Sequence, residues 1–218
     1  MSTAGFWDGL YAGGQDGWDL GGPAPALEDW LASGRFPSSS SIQCGGPEMA
    51  PALPQSADNR AHIAVPGCGR GHDARLLARH GYRVTAFDFA EAAVAEARLR
   101  AADDGADVAV EQRDIFTLAR DHAGAFDGVW EYTCFCAIDP ARREEYARVL
   151  HAILRPGGLL LACFYPLRAG SDGPPFSVSR DDVDRALAGR FTVLRAGPPG
   201  RSPERRRALE WLVEARRS

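Results

Sequence analysis

The tightest constraint on this fold is a short apolar run, Ala61 to Val65, that leads without a spacer into Pro66-Gly67-Cys68-Gly69-Arg70-Gly71 and then into a helical stretch, Asp73 to His80. An apolar run of that length, closed by glycines, reads as a buried strand. The glycines allow close backbone approach and leave N–H groups free at a helix start, where ligand oxygens are favoured. A tight strand-to-helix turn that holds no ligand is the other reading of the same residues. The dinucleotide fingerprint Gly-x-Gly-x-x-Gly is not met: the third glycine falls one residue early, and His72 stands where that pattern has Gly.

A rhythm of strands and helices surrounds this turn. Arg83 to Asp88 is expected as a strand, Ala90 to Ala102 as a helix, Val108 to Glu111 as a weak strand and Phe126 to Glu131 as a strand. Pro140 to Leu154 is expected as a helix opened by Pro, and Leu159 to Tyr165 as a strand, apolar throughout as strands buried on both faces are. After a Gly/Pro loop over 166–175 come a helix, Asp181 to Ala188, and a strand, Phe191 to Arg195. Ala208 to Ala215 suits strand or helix, and topology favours strand. The alternation implies a doubly wound, Rossmann-like α/β fold: a seven-stranded, mostly parallel sheet with helices on both faces.

Ahead of this core, Pro23 to Ser33 reads as a helix with Leu27, Trp30 and Leu31 on one face. Residues 5–20 carry Phe6, Trp7, Tyr11 and Trp18 among Gly and Asp, a density of aromatics that covers something. Residues 35–60, with Ser38 to Ser41 and little apolar periodicity, read as a mobile loop. With 218 residues the chain suits one domain: an N-terminal lid over 1–34, the loop over 35–60 and the core over 61–218.

The formal net charge of -4 argues against a duplex nucleic-acid partner, which favours the opposite sign. There is no apolar run of about 18 residues to span a membrane. Met1 to Leu20 lacks the apolar segment behind a basic start that a secretory signal has. Five cysteines, an odd number, fit a reduced, cytoplasmic setting.

Strand C-terminal ends are where such sheets bind ligands. Asp88, at the second strand's end, suits a pair of ribose hydroxyls, because a carboxylate accepts from both; a helix N-cap is the alternative. Asp114-Ile115-Phe116, after the third strand, suits an adenine amino group with apolar neighbours against the ring, or is an ordinary loop acid. Cys134 and Cys136, following Glu131-Tyr132, lack the second cysteine pair of a metal site and read as buried thiols, so no metal is expected.

Together these segments resemble the thiopurine S-methyltransferase superfamily, and most closely its halide and thiol methyltransferase branch. Gly17-Trp18-Asp19-Leu20-Gly21 with a following proline is similar to that branch's N-terminal signature. Val65 to Asp73 resembles its glycine loop, whose Gly-x-Gly-x-Gly spacing is that of class I methyltransferases. Glu131-Tyr132 through Phe135-Cys136-Ala137-Ile138-Asp139-Pro140 is similar to its signature after the fourth strand, and Tyr165-Pro166 with Asp172 to Phe176 to another. Tyr11 stands where the branch often has Trp, Glu131 where plant members have Asp, and Tyr132 where the mammalian thiopurine branch has Arg.

The resemblance implies S-adenosylmethionine as cofactor, with S-adenosylhomocysteine as product. It implies that Trp7, Tyr11 and Trp18 lie over the cofactor, that Gly67 with Cys68 and Gly69 meets its amino-acid end, and that Asp88 with Phe89 meets its ribose. Asp114, Ile115 and Phe116 are implied at the adenine, Glu131 at the cofactor, and Tyr132 near the transferred methyl as the catalytic residue. The implied acceptor is a small thiol or a halide, and the implied assembly a monomer or weak dimer. An enzyme tailoring one metabolite thiol is a second reading. A non-catalytic cofactor-binding protein is a third, and the complete aromatic and acceptor signatures argue against it.

Overall fold

The computed structural model describes residues 3–34, 59–168, 170 and 173–218. Residues 35–58 of the expected loop and Asp172 of the fourth signature lie outside the described residues.

Seven strands form one sheet in the order β3-β2-β1-β4-β5-β7-β6. β1 (His62–Pro66), β2 (Arg83–Asp88), β3 (Val108–Gln112), β4 (Phe126–Tyr132) and β5 (Leu154–Phe164) run parallel. β7 (Trp211–Arg217) is antiparallel to both β5 and β6 (Phe191–Gly197). The expected mostly parallel, seven-stranded sheet is what the chain forms, and the ambiguous C-terminal segment is a strand.

β5 shows why an unbroken apolar run makes a central strand. Leu160, Ala162 and Phe164 point into one core, while Leu159, Leu161 and Cys163 point into the other. The two-residue period sends alternate side chains to opposite faces, so a strand covered on both sides is apolar at every position. One face carries Phe87, Phe126, Tyr146 and Ile153. The other carries Ile63, Leu77 and Trp130, and Leu27 and Trp30 of α2 (Pro25–Ala32) join it.

Helices α3 (His72–Arg79), α4 (Glu91–Asp103), α7 (Arg143–Ile153) and α8 (Arg180–Leu187) fall within a residue or two of the expected spans, α7 preceded by a 3-10 turn over Pro140–Arg142. β5 opens five residues earlier than its apolar run, because Leu154 pairs with Phe126 before a register shift across Arg155 to Gly158. Sequence periodicity missed two four-residue helices, α5 (Leu118–Asp121) and α6 (Cys134–Ala137), each too short to show a period. It also left α1 (Ala4–Ala12) unassigned. That helix carries three residues of low helix propensity or special rotamer demand (Gly5, Gly9 and Trp7) and is fixed by a Thr3 side-chain cap and by packing on α4.

The strand order reverses between β1 and β4, so the segments leaving those two strands diverge and open a crevice at their C-terminal ends. Phe126 sits at the base of this arrangement, fully buried against Phe87 and the rings of His62 and His122. Phe126→Ala is expected to lower stability by about 3–5 kcal/mol, read as the shift of a urea unfolding midpoint.

Candidate active site

The crevice between β1 and β4 contains a cavity of about 460 Å³. Gly67, Cys68 and Gly69 form its floor, after β1. Gly67 has φ +63°, and a Cβ placed there would stand 2.8 Å from Cys134 Sγ at the start of α6. Only glycine tolerates both the backbone angle and the contact. Gly69, also left-handed, lies so close to the lid that a Cβ would meet the Tyr11 hydroxyl at 3.0 Å.

Asp88 ends β2 nine-tenths buried in the same wall. Its Oδ2 accepts from the Gly69 N–H at 2.9 Å and its Oδ1 from the Ala90 N–H at 3.0 Å. It therefore braces the glycine loop against the turn that leads into α4, and Phe89 lies beside it in the wall. Burial pushes its pKa up, against these backbone donors, which pull it down.

Asp114, Ile115 and Phe116 line the next part of the cavity. Asp114 caps its own 3-10 turn by accepting from the Phe116 N–H at 3.0 Å. The Arg142 guanidinium covers the Phe116 ring, 3.3 Å from its centroid, and also lines the cavity. Trp7, Tyr11 and Trp18 close the site from above. Trp18 meets Trp7 and Tyr11 edge-on, with ring centroids 5.0 and 5.5 Å away.

The lid is held by charge. Asp8 of α1 accepts from the Ala92 N–H at 3.0 Å, supplying a carboxylate to the α4 N-terminus, which has no cap of its own. Arg70 of the glycine loop pairs with Asp16 and, at 3.1 Å, with Asp19 of the lid, while its Nε donates to Glu96 of α4 at 2.5 Å. His72 Nε2 stands 3.3 Å from Asp19. Asp73, half-buried at the head of α3, accepts from the Ala24 N–H and from the Trp130 indole, both at 2.7 Å.

Tyr132 lines the opposite end of the cavity and stacks on Trp130, 5.8 Å between centroids. Its hydroxyl donates to Glu210 Oε1 at 2.6 Å, and the Arg206 guanidinium lies 5.1 Å from its ring centroid. Arg206 also donates to the Trp18 carbonyl, tying the C-terminal segment to the lid. Arg70 and Asp73 lay inside recognised motifs, although their long-range partners were invisible there. Arg206 and Glu210 lie in an Arg-rich stretch with no motif, and no local signal marks them.

Glu131 is placed differently from the expectation. It is fully buried and does not line the cavity; its Oε1 accepts from the Phe135 N–H at 2.7 Å and so fixes α6. The reason is alternation: adjacent residues of a strand face opposite sides, and Tyr132 takes the exposed one. Burial lifts the Glu131 pKa to about 7. Burial also raises the thiols of Cys68 and Cys134, and takes Cys136 up to about 12, which favours the protonated thiol in each.

These residues fit a sulfonium nucleoside. A backbone cradle without side chains suits its amino-acid end, the Asp88 carboxylate its ribose, and an aromatic roof its cationic centre.

The comparisons with known proteins agree with this geometry. The family model for thiopurine S-methyltransferase matches residues 47–215. The chain is similar to a probable thiol methyltransferase 2 of Arabidopsis thaliana, 27% identical over 188 residues, which span 85% of this chain and 73% of that protein. It is similar to the thiopurine S-methyltransferase of Xanthobacter autotrophicus, 33% identical over 178 residues, spanning 71% of this chain and 81% of that protein. Its fold resembles the 1,6-didemethyltoxoflavin-N1-methyltransferase of Burkholderia thailandensis, solved with its substrate and S-adenosylhomocysteine, at TM-score 0.69 and 21% identity over 99% of this chain and 86% of that one.

Two outcomes follow from the site. Gly67→Ala is expected to weaken S-adenosylmethionine binding at least about tenfold in titration calorimetry, by the angle and the Cys134 contact; unchanged affinity would remove the loop from the site. Glu131 binds its proton more tightly folded than unfolded, so its stabilisation is complete below about pH 4.5 and is lost as pH rises through 7. Relative to Glu131→Gln, the natural protein is expected to lose about 2–3 kcal/mol between pH 4.5 and pH 8, measured by urea unfolding at each pH.

Proposed function

The chain belongs to the thiopurine S-methyltransferase family of S-adenosylmethionine-dependent methyltransferases, and we propose that it methylates a small thiol, with halide or a related soft nucleophile as a secondary acceptor. The observation that carries this reading is the Tyr132 end of the cavity, where the rings of Trp130, Tyr132 and Tyr165 line the wall and the Tyr132 hydroxyl is held by Glu210.

S-adenosylmethionine, when bound, supplies an electrophilic methyl group on a positively charged sulfur. Gly67 and Gly69 would hold its amino-acid end, Asp88 its ribose, and Asp114 with Ile115 and Phe116 its adenine. Trp7, Tyr11 and Trp18 exclude water over the reacting atoms. Charge disappears as an anionic sulfur attacks a sulfonium, so a dry aromatic enclosure favours the transition state over the separated ions. Tyr132 orients the acceptor: with its own hydrogen committed to Glu210, its oxygen lone pairs accept the hydrogen of an incoming thiol.

The Arg of the mammalian thiopurine branch is absent at Tyr132, which favours simple thiols, sulfide and iodide over a purine. A tailoring enzyme for one metabolite thiol shares the same chemistry and differs only in acceptor breadth.

The test is formation of S-adenosylhomocysteine against a panel of alkyl and aromatic thiols, sulfide, iodide and thiocyanate. Turnover with thiols is the expected result; tight cofactor binding with no turnover on any acceptor overturns the proposal. Tyr132→Phe is expected to lower kcat with thiols by about 10²-fold while the calorimetric cofactor affinity holds. Unchanged kcat would take Tyr132 out of the mechanism.

A further inference from the structure

Glu210 stands behind the acceptor site and has no role in any motif. It is 2% exposed, and its Oε1 accepts the Tyr132 hydroxyl at 2.6 Å. Its Oε2 is buried with no hydrogen-bond partner among the described residues. A buried carboxylate oxygen left without a partner is unfavourable unless it serves a purpose. Arg206 is the nearby cation. It is 1% exposed, its guanidinium lies 5.1 Å from the Tyr132 ring centroid and 4.5 Å from that of Tyr165, and its Nη1 likewise has no partner among the described residues. The thiols of Cys163 and Cys136 and the carboxylate of Asp73 are further titratable groups within electrostatic reach of this pair.

The Tyr132 phenol does not ionise on its own. Burial pushes its pKa far up, Arg206 pulls against that rise and Glu210 adds to it. The site therefore holds the Tyr132 phenol hydrogen-bonded to Glu210, with Tyr132 lining the cavity and Glu210 behind it.

We propose that Glu210 is a positioning residue that acts through Tyr132 as the proton sink for protonated thiol acceptors. This rests on the thiol methyltransferase reading above. The thiol S–H bond breaks as its proton passes to the Tyr132 oxygen, and the hydroxyl hydrogen of Tyr132 passes to Glu210 Oε1. The electron pair of the broken bond stays on the acceptor sulfur. That pair then forms the bond to the methyl carbon while the old carbon–sulfur bond breaks, its electrons remaining on the departing thioether sulfur. Glu210 is left neutral and returns its proton to water through Tyr132 when the products leave. An ordinary thiol, with a pKa near 8.5, is mostly protonated at pH 7 and needs this sink. Iodide, or an aromatic thiol already ionised, does not. The relay thus sets which acceptors the enzyme uses at neutral pH.

The experiment compares Glu210→Gln with the natural protein on three acceptors at pH 7: an alkyl thiol, an ionised aromatic thiol and iodide, with calorimetric S-adenosylmethionine affinity alongside. The expected result is that the ratio of kcat/KM for the alkyl thiol to that for the proton-free acceptors falls at least about tenfold, and that Glu210→Asp, which keeps a carboxylate, restores part of it. A parallel fall on all three acceptors, which a structural role would produce, or no fall on any, overturns the proposal. If Glu210→Gln fails to bind cofactor, the natural protein decides: a slower rate in heavy water with the alkyl thiol and equal rates with iodide support the relay, and equal rates with both overturn it. Absence of turnover by the natural protein on every acceptor would instead sink the thiol methyltransferase reading and this proposal with it.

Discussion

Everything in the site hangs on one close approach, where the backbone of Gly67 is pressed against Cys134. β1 and β4 are neighbours at the point where strand order reverses, and the chain leaves each of them in a different direction. The crevice that results binds a ligand only if its floor is backbone. A left-handed glycine at 67 meets that demand, and the bent start of α6, with Thr133 itself at φ 65°, brings the Cys134 sulfur up against it. Packing is dense enough that one added methyl group on this floor has nowhere to go. Asp88 ties the arrangement together by holding the Gly69 N–H and the Ala90 N–H at once, which links the floor, the β2 end and the turn into the next helix.

Over this rigid floor lies a lid that owes its position to ion pairs more than to buried area. No residue of α1 is fully buried. Arg70 reaches upward to Asp16 and Asp19 and sideways to Glu96, and its planar fork suits three carboxylates better than a point charge would. Such partly exposed pairs are individually weak, so the cover over the cavity is held by their sum more than by any one of them. The aromatic rings of the lid supply the dry enclosure, and the charged latch decides where that enclosure sits.

The acceptor end follows a different logic. Tyr132, half-buried, and Glu210 and Arg206, both buried, are gathered from β4 and from the segment that precedes β7, and the antiparallel return of β7 beside β5 brings them together. Burying Glu210 and Arg206 is unfavourable, and their presence behind the cavity is what fixes the direction of the Tyr132 hydroxyl. Glu131, one residue before Tyr132, is turned to the opposite face and holds α6 in place, so neighbouring residues of one strand divide structure and chemistry between them.

The amino-acid sequence by itself determined the strand-to-helix turn at 66–71, the acid ending β2, the acid and apolar pair after β3, the aromatic cluster of the lid and the buried run of β5. Each is a local pattern, and local patterns carry backbone conformation and strand periodicity. Gly67 is legible because only its residue type tolerates the turn; Leu159 to Phe164 is legible because burial on both faces makes every position apolar. Tertiary structure alone decided that Asp8 caps a helix 84 residues away, that Asp73 joins Ala24 to Trp130, and that Glu210 meets Tyr132 across 78 residues of chain. It also decided that Glu131 faces the interior, because one step along a pleated strand reverses the face and no local pattern says which of two adjacent polar residues takes the cavity. Pairings between distant residues depend on how the strands are ordered and which way β7 runs, and that geometry exists only once the sheet has assembled.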